Sequence, residues 1–196
     1  MYDALYALGL SSVLDAVLEG LEGSAGDKGA VFDAFVKSLG EDPAKYRSDA
    51  AEMAKFAKEG GADALTPSAD GSFAQKALAS VAARAASGEL YYSRFLAVGI
   101  FRMLELSGAK DPKALEALAS SLGVPQAAVA RDLGTYKAVL SKLAAAKELM
   151  RELLERERKK QAERLAEKVA KPVASSTSSS EEESVGANAR AGEVMP

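Results

Sequence analysis

The 196-residue sequence contains neither cysteine nor histidine. Without these residue types the chain has no disulfide, no Cys nucleophile, no Ser-His-Asp triad and none of the usual ligands for zinc or haem. Long apolar runs are also absent, since the longest one, 96–101, lies between Arg94 and Arg102. A membrane-spanning helix needs about 20 apolar residues. These absences exclude most metal and covalent chemistry and predict a chain without a transmembrane span.

Alanine, in contrast, is abundant. Of the 196 residues, 40 are Ala, which leaves about 28% of the chain as larger apolar residues. Because Ala is the best helix former and allows helices to pack closely, this composition favours a helical protein. We predict an all-α fold: a compact multi-helix domain, a long projecting C-terminal helix and a disordered tail.

Capping signals predict where the helices begin. Asp-Pro pairs at 42–43 and 111–112 place a capping side chain directly before a proline at the first helical position. Asp27 is a similar N-cap, and Pro125 begins a further helix. Together with apolar residues at helical spacing, these signals predict helices over 3–22, 28–39, 43–58, 73–87, 89–107, 112–122 and from 125 onward.

Two of these helices carry specific expectations about burial. In 28–39 the side chains expected to face inward are Val31, Phe32, Phe35, Val36 and Leu39. In 89–107 apolar residues cover nearly every direction, which is typical of a helix at the centre of a domain. The exceptions are Arg94, Arg102 and Glu105, which form one narrow polar stripe. Since unpaired buried charge is costly, we expect this stripe to be structural, with its arginines paired to acidic groups.

Composition divides the chain into three parts. A helical domain covers 1–146, a charged helix covers 147–171, and a Ser/Glu-rich tail covers 172–196. The charged helix depends on weak ion pairs between successive turns, and its apolar seam is interrupted at Lys147, short of the three to four heptads of a coiled coil. The tail begins with a proline and has too few apolar residues to fold, so we expect it to be disordered.

Charge is unevenly distributed along the chain, whose net charge is −3. Residues 1–108 include 15 acidic and 10 basic residues, whereas 147–171 include nine basic and six acidic residues. The acidic balance argues against a general nucleic-acid binder. The basic helix is suited to an acidic protein or an anionic membrane surface. The residues predicted to contact such a partner are Arg151, Arg156, Arg158, Lys159 and Lys160.

Residues 111–133 raise an alternative function, that of a DNA-binding regulator. The pattern is typical of a helix-turn-helix unit. It has alanine at a tight helix contact, Gly123 in the turn, and Val and Leu directed inward on a second helix. In such a regulator, residues 125–132 would enter the major groove of the DNA. The main side chains there that could read base edges are Gln126 and Arg131, with alanines between them. A helix pair without DNA contact is therefore the favoured interpretation.

No motif in the sequence predicts catalysis. The Gly-rich segment 23–29 contains a lysine but lacks the Gly-Lys-Ser/Thr order of a phosphate-binding loop. The acidic run 181–183 lacks the ordered ligand set of a calcium site. We therefore expect no enzymatic activity, no cofactor or metal, and no small-molecule substrate.

Four blocks of the sequence carry a family resemblance. They read DALYALGLSSVLDAVLEG at 3–20, LGEDPAKYRSDA at 39–50 and YSRFLAVGIFRMLE at 92–105. The fourth combines RDL at 131–133 with Tyr136, LSKL at 140–143 and AKEL at 146–149. In order and spacing, the four blocks resemble the thylakoid formation protein family, also called photosystem II biogenesis protein twenty-nine, over about residues 3–160.

The resemblance implies a non-enzymatic, mostly α-helical accessory protein of thylakoid membranes. The family acts in photosystem II biogenesis and repair and is linked to the level and assembly of the membrane protease FtsH. For this chain it implies FtsH or other thylakoid proteins as partners, no nucleic acid, and a location in the chloroplast stroma and at the periphery of the thylakoid membrane. No catalytic or cofactor residues are implied. Because the sequence begins at the first block, we expect it to lack the family's usual N-terminal segment and transit peptide.

Overall fold

Seven α-helices make up most of the residues that the structure describes. The computed structural model describes residues 2–19, 27–109 and 111–170, with the side chains of 168–170 excepted. These ranges contain no β-strand, which confirms the predicted all-α fold. The helices are α1 (Ala4–Leu18), α2 (Lys28–Ser38), α3 (Pro43–Gly60), α4 (Phe73–Ala86), α5 (Arg94–Leu106), α6 (Pro112–Ser121) and α7 (Gln126–Ala170), with a 3₁₀ turn at Ala62–Ala64.

Three helices begin at the capping residues that predicted them. Asp27, Asp42 and Asp111 each accept a hydrogen bond from a backbone N–H in the first turn of α2, α3 and α6. A proline follows two of these caps, at a position where its missing N–H costs nothing. Beyond the end of α6, Gly123 has φ +65°, a left-handed conformation that ends the helix and that glycine adopts without strain. Local hydrogen bonding therefore accounts for these boundaries.

Helices α1 and α5 cross in direct backbone contact. A Cβ atom on Gly9 of α1 would lie 1.9 Å from the carbonyl oxygen of Phe95 in α5. A Cβ atom on Gly99 of α5 would lie 2.1 Å from the carbonyl oxygen of Leu5 in α1. Both distances are well inside van der Waals contact. The helices can approach this closely only because both positions are glycine.

The main apolar core surrounds this crossing. Side chains from α3, α4, α6 and the first turns of α7 pack with those of α1 and α5, and the largest of them are fully buried: Leu5, Met53, Leu78, Leu96, Ile100, Met103, Leu122 and Val129. A second, smaller cluster forms where α2 packs against α1 and α3, and it contains Leu10, Phe32, Val36 and Tyr46. From α3, Ala50, Met53 and Ala57 lie in the main core and Tyr46 lies in the second cluster.

The predicted start of the central helix is wrong. Residues 89–93 are not helical, and α5 begins at Arg94. The Ser93 hydroxyl accepts a hydrogen bond from the Leu96 backbone N–H at 3.2 Å, which caps the helix there. Apolar content alone predicted a longer helix, because an apolar extended segment that packs on the core has the same composition as a buried helical turn.

The predicted burial of α2 is wrong for three of its five apolar residues. Phe32 and Val36 are fully buried, as expected. The α2 helix packs through a single face that is only two side chains wide. The other three apolar residues expected to face inward are therefore exposed: Val31, Phe35 and Leu39.

By its internal contacts the chain divides into two units, Met1–Met150 and Arg151–Pro196. In the second unit every described side chain from 151 to 167 is exposed. Ion pairs join Glu152 to Arg156 at 3.6 Å and Glu157 to Lys160 at 3.8 Å. Exposed pairs of this kind contribute only a few tenths of a kcal/mol each.

The 45-residue α7 confirms the predicted long C-terminal helix. Among the described residues, no helix is both long enough and apolar enough to cross a membrane. The predicted disordered tail at 172–196, the acidic run within it and the predicted end of the first helix at residue 22 lie outside the described residues.

The α1–α5 crossing generates a test of stability. We expect Gly99→Ala to destabilise the protein by about 3 kcal/mol, because the new methyl group meets backbone rather than a mobile side chain. Gly134→Ala is the matched control: Gly134 lies in α7 with open space at its Cβ, so alanine should stabilise the helix by about 0.5–1 kcal/mol. Urea denaturation measures both changes, and equal effects of the two substitutions would contradict the close backbone contact.

Candidate functional site

The carboxylate of Asp132 in α7 is the centre of a polar cluster formed by Tyr92, Arg94, Arg131 and Asp132. The Asp132 side chain is 5% exposed. It accepts hydrogen bonds from the Tyr92 hydroxyl at 2.8 Å and from Arg131 Nε at 3.3 Å. Arg94 Nε lies 3.9 Å away. The cluster thus joins α7 to the start of α5 and to the extended segment before it.

Local structure explains why these side chains meet. Asp132 lies on the buried face of α7, between the core residues Val129 and Leu133. Tyr92 belongs to the extended segment 89–93, which places its ring against the core. Arg94 is the first residue of α5, directly after the Ser93 cap. A carboxylate on the apolar face of a helix needs hydrogen-bond donors. Tyr92 supplies one from the extended segment, Arg131 supplies another from α7 itself, and Arg94 adds a positive charge 3.9 Å away.

The electrostatics of the cluster keep Asp132 ionised and Tyr92 neutral. The hydrogen bond from Tyr92 lowers the pKa of Asp132, with Arg131 and Arg94 adding to this effect and burial opposing it. Burial, with Asp132 as acceptor, raises the pKa of Tyr92. At neutral pH a phenol therefore donates to a carboxylate that also faces two guanidinium groups. Because these donors satisfy the carboxylate, the arrangement fits a structural tie rather than a general base.

The three residues of the predicted polar stripe do not lie together. Arg102 donates a hydrogen bond to Glu105, one turn away on α5, and both side chains are partly exposed. Arg94 is directed instead toward Asp132, with 79% of its side chain exposed. Arg102 and Glu105 line a surface groove of about 550 Å³ together with Phe101 and other residues of α1, α2 and α7.

Helices α6 and α7 form the helix pair expected from 111–133. Val129 and Leu133 of the second helix are buried, as the pattern predicted. The geometry gives the DNA-binding alternative no added support, because the Arg131 guanidinium is bonded to Asp132. Most of the other exposed positions at the start of α7 carry alanine, which has no group to read a base edge.

The predicted partner-contact residues lie in the unit Arg151–Pro196, and all five are exposed. Arg156 and Lys160 make the ion pairs described above, while Arg158 and Lys159 make none with another described residue. Exposed leucines lie on the same helix, at positions 153, 154 and 165. The segment therefore offers both cationic and apolar groups to solvent.

Nothing in the described part of the chain resembles a metal or catalytic centre. No group of three or more acidic side chains there could hold a metal ion. One buried polar atom in this part lacks a hydrogen-bond partner, the hydroxyl oxygen of Ser11. Ser11 lies on α1 next to Ser12, and the chain has no histidine to act as its base.

The described residues define a class: an all-helical protein with a packed apolar core and an exposed, basic segment in its last helix. The family model described as "Thylakoid formation protein" matches residues 1–165. The chain belongs to this family, which confirms the resemblance seen in its sequence blocks.

Plant and cyanobacterial relatives match most of the chain. Protein THYLAKOID FORMATION1, chloroplastic, of Oryza sativa is 42% identical over 159 residues, which are 80% of this chain and 55% of the rice protein. Its counterpart from Arabidopsis thaliana is 43% identical, with 80% and 52% of the two chains covered. Protein Thf1 of Prochlorococcus marinus is 34% identical over 79% of this chain and 68% of its own. The chain spans about half the length of the plant relatives that it matches.

A solved structure shares the fold. "Structure of Psb29 at 1.55A" superposes with a TM-score of 0.62 and 28% sequence identity, covering 83% of this chain and 78% of the other. The helical architecture described above is therefore that of a known family member.

The Tyr92–Asp132 bond generates a pH-dependent prediction. We expect Tyr92→Phe to destabilise the protein by about 1–2 kcal/mol at pH 7, because a buried carboxylate loses its shortest hydrogen bond. The pKa of Asp132 is lowered in the folded state, so its contribution is present above the unfolded pKa of about 3.9 and is lost as the pH falls through the folded value. The loss of unfolding free energy caused by Tyr92→Phe should therefore be smaller at pH 3 than at pH 7.

Urea denaturation at pH 7 and pH 3 measures this deficit. Tyr91→Phe is the matched control, since Tyr91 is 80% exposed and its hydroxyl should contribute less than about 0.5 kcal/mol. A deficit that is the same at both pH values would show that the Tyr92 hydroxyl acts independently of the charge on Asp132.

Proposed function

We propose that the chain is a non-enzymatic accessory protein of thylakoid biogenesis that works in chloroplasts. The observation that carries the proposal is the family match over residues 1–165, together with plant relatives that are named for thylakoid formation and for the chloroplast. The geometry of the Asp132 cluster is consistent with it, because hydrogen-bond donors satisfy that carboxylate.

In finer terms, we propose a role in photosystem II assembly or repair through the membrane protease FtsH. The chain would act from the stroma and dock at the periphery of the thylakoid membrane. This role requires neither a cofactor nor nucleic acid. It requires a surface that can contact FtsH, another thylakoid protein or the membrane.

The exposed segment 151–160 is the surface that we assign to this contact. Five of its ten residues are basic and three are acidic, so the segment keeps a net positive charge. Fully hydrated cations on a helix attract an anionic lipid surface or an acidic protein patch over about 10 Å at moderate salt. The exposed leucines at 153 and 154 add apolar area that a partner could cover.

Charge reversal tests this assignment. Replacing Arg151, Arg156, Arg158, Lys159 and Lys160 by glutamate should reduce binding at least tenfold, since each lost cation near an anionic surface is worth about 1 kcal/mol. The matched control exchanges arginine for lysine and lysine for arginine at the same five positions and so keeps the charge. Helix content, measured by circular dichroism, checks that both variants fold.

Two measurements distinguish the partner. Co-sedimentation with liposomes that contain anionic lipid reports membrane docking, and co-purification with FtsH assemblies reports the protein contact. We expect the charge-reversed variant to fail in at least one assay in which the charge-keeping variant succeeds. If both variants bind liposomes and FtsH assemblies as the parent chain does, the segment 151–160 does not have this role.

A further inference from the structure

A second candidate site lies in the unit Met1–Met150, where five aromatic rings line one surface cavity. The cavity has a volume of about 370 Å³, and its rings belong to Tyr2, Tyr6, Tyr46, Tyr91 and Phe95. Four of the chain's six tyrosines are among them. The site is independent of the basic segment 151–160 and does not rest on the role proposed for it.

Four of the rings are held in fixed geometry. Tyr2 precedes α1, Tyr6 lies in the first turn of α1, Tyr46 comes from α3 and Phe95 from α5. The Tyr2 and Tyr46 ring centroids are 4.8 Å apart, and Tyr6 meets Tyr46 and Phe95 edge-on at 6.2 and 5.6 Å. The fifth ring, Tyr91, is 80% exposed and forms part of the cavity rim. Packing of the other four rings thus builds a rigid aromatic wall.

The charge in this cavity is negative. No lysine or arginine lines it, whereas Asp3 and Glu41 do. Asp3 is already engaged: it pairs with Arg84 at 3.1 Å and accepts a hydrogen bond from the Tyr6 backbone N–H at 2.7 Å. The Glu41 carboxylate has no cationic partner among the described residues. Glu41 therefore brings to the cavity a negative charge that is not engaged in a salt bridge with any described residue.

The phenols themselves stay neutral. Burial, followed by the charge of Glu41, raises the pKa of Tyr46 to about 12. Burial also raises the pKa of Tyr6, with Asp3 and Glu41 adding to the effect. At physiological pH the cavity therefore presents uncharged, electron-rich rings and a carboxylate.

The chain itself already places a cation on this aromatic cluster. The ammonium nitrogen of Lys45 lies 4.3 Å from the centroid of the Tyr2 ring, although Lys45 is not part of the cavity lining. Ammonium and guanidinium groups are attracted to the faces of tyrosine rings, and several rings with a nearby carboxylate are the usual means of recognising such cations.

We propose that this aromatic cavity binds the side chain of a lysine or arginine from a partner protein. The ring faces and Glu41 bind the cationic end, and the exposed Tyr91 and Leu39 at the rim contact its aliphatic stem. A basic polypeptide is the occupant that matches the observed combination of apolar rim and negative interior. An anionic ligand would be repelled by Glu41.

Titration of the full chain with short peptides tests the proposal. The probes are acetylated and amidated pentapeptides in which two glycines flank a central arginine, lysine or glutamine. Tyrosine ring resonances in NMR spectra report binding. We expect millimolar affinity for the arginine and lysine peptides and at least tenfold weaker binding of the glutamine peptide.

Substitutions locate the binding to this cavity. Tyr91→Ala should weaken binding of the arginine peptide about fivefold, and Tyr91→Phe should keep the affinity of the parent chain, because a ring that packs on the aliphatic stem is retained. Glu41→Gln should weaken binding of the arginine peptide about threefold. Glu52 is an exposed acidic residue of α3 outside the cavity, so Glu52→Gln should leave this binding unchanged. Thermal melting checks that each variant remains folded.

Three outcomes would overturn the proposal. They are equal affinity for the arginine and glutamine peptides, an unchanged affinity in both Tyr91→Ala and Glu41→Gln, and an equal loss in Glu52→Gln and Glu41→Gln, which would indicate general attraction to an acidic surface. None of these readouts involves liposomes or FtsH, so failure here leaves the role of 151–160 to its own test.

Discussion

The backbone contact between α1 and α5 at Gly9 and Gly99 is the constraint on which the rest of the first unit depends. Two helices that touch through their backbones bring their flanking side chains into one shared apolar layer. Met53 of α3 and Leu78 of α4 complete this layer, and α6 and the first turns of α7 pack on it. The same crossing sets the position of Tyr6 and Phe95, whose rings form part of the aromatic cavity. Core and surface chemistry therefore have a common geometric origin.

What could be predicted from the sequence was local in origin. Helix starts at Asp27, Asp42 and Asp111 follow from hydrogen bonds within two residues of the cap, so nearby sequence is sufficient to find them. The start of α5 was missed because Leu90, Tyr91 and Tyr92, which directly precede it, continue the apolar pattern of the helix. The exposed side of α2 was missed because apolar residues predict burial only when a partner helix is wide enough to cover them.

The candidate sites were harder to predict because they combine distant segments. Tyr92 and Asp132 are 40 residues apart, and neither residue type predicts the other. The aromatic cavity takes its rings from α1, α3, α5 and the segment before α5, which no linear pattern connects. The basic residues of 151–160 could be found by counting charge, since an exposed helix needs no tertiary partner to place them. Sequence thus points to the candidate surface that lies within one segment and misses the clusters that combine several segments.

The contact between Gly9 and Gly99 also has a consequence for biosynthesis. About 90 residues separate the two glycines, and at typical elongation rates of 5–20 residues per second the ribosome takes roughly 5–20 s to make the stretch between them. For that interval the nascent α1 carries Leu5, Leu8 and Leu10 with no α5 to cover them. Such exposed leucines are what holdase chaperones recognise. The fold is therefore completed late, and the apolar face of α1 stays uncovered by α5 while the fifth helix is still being translated.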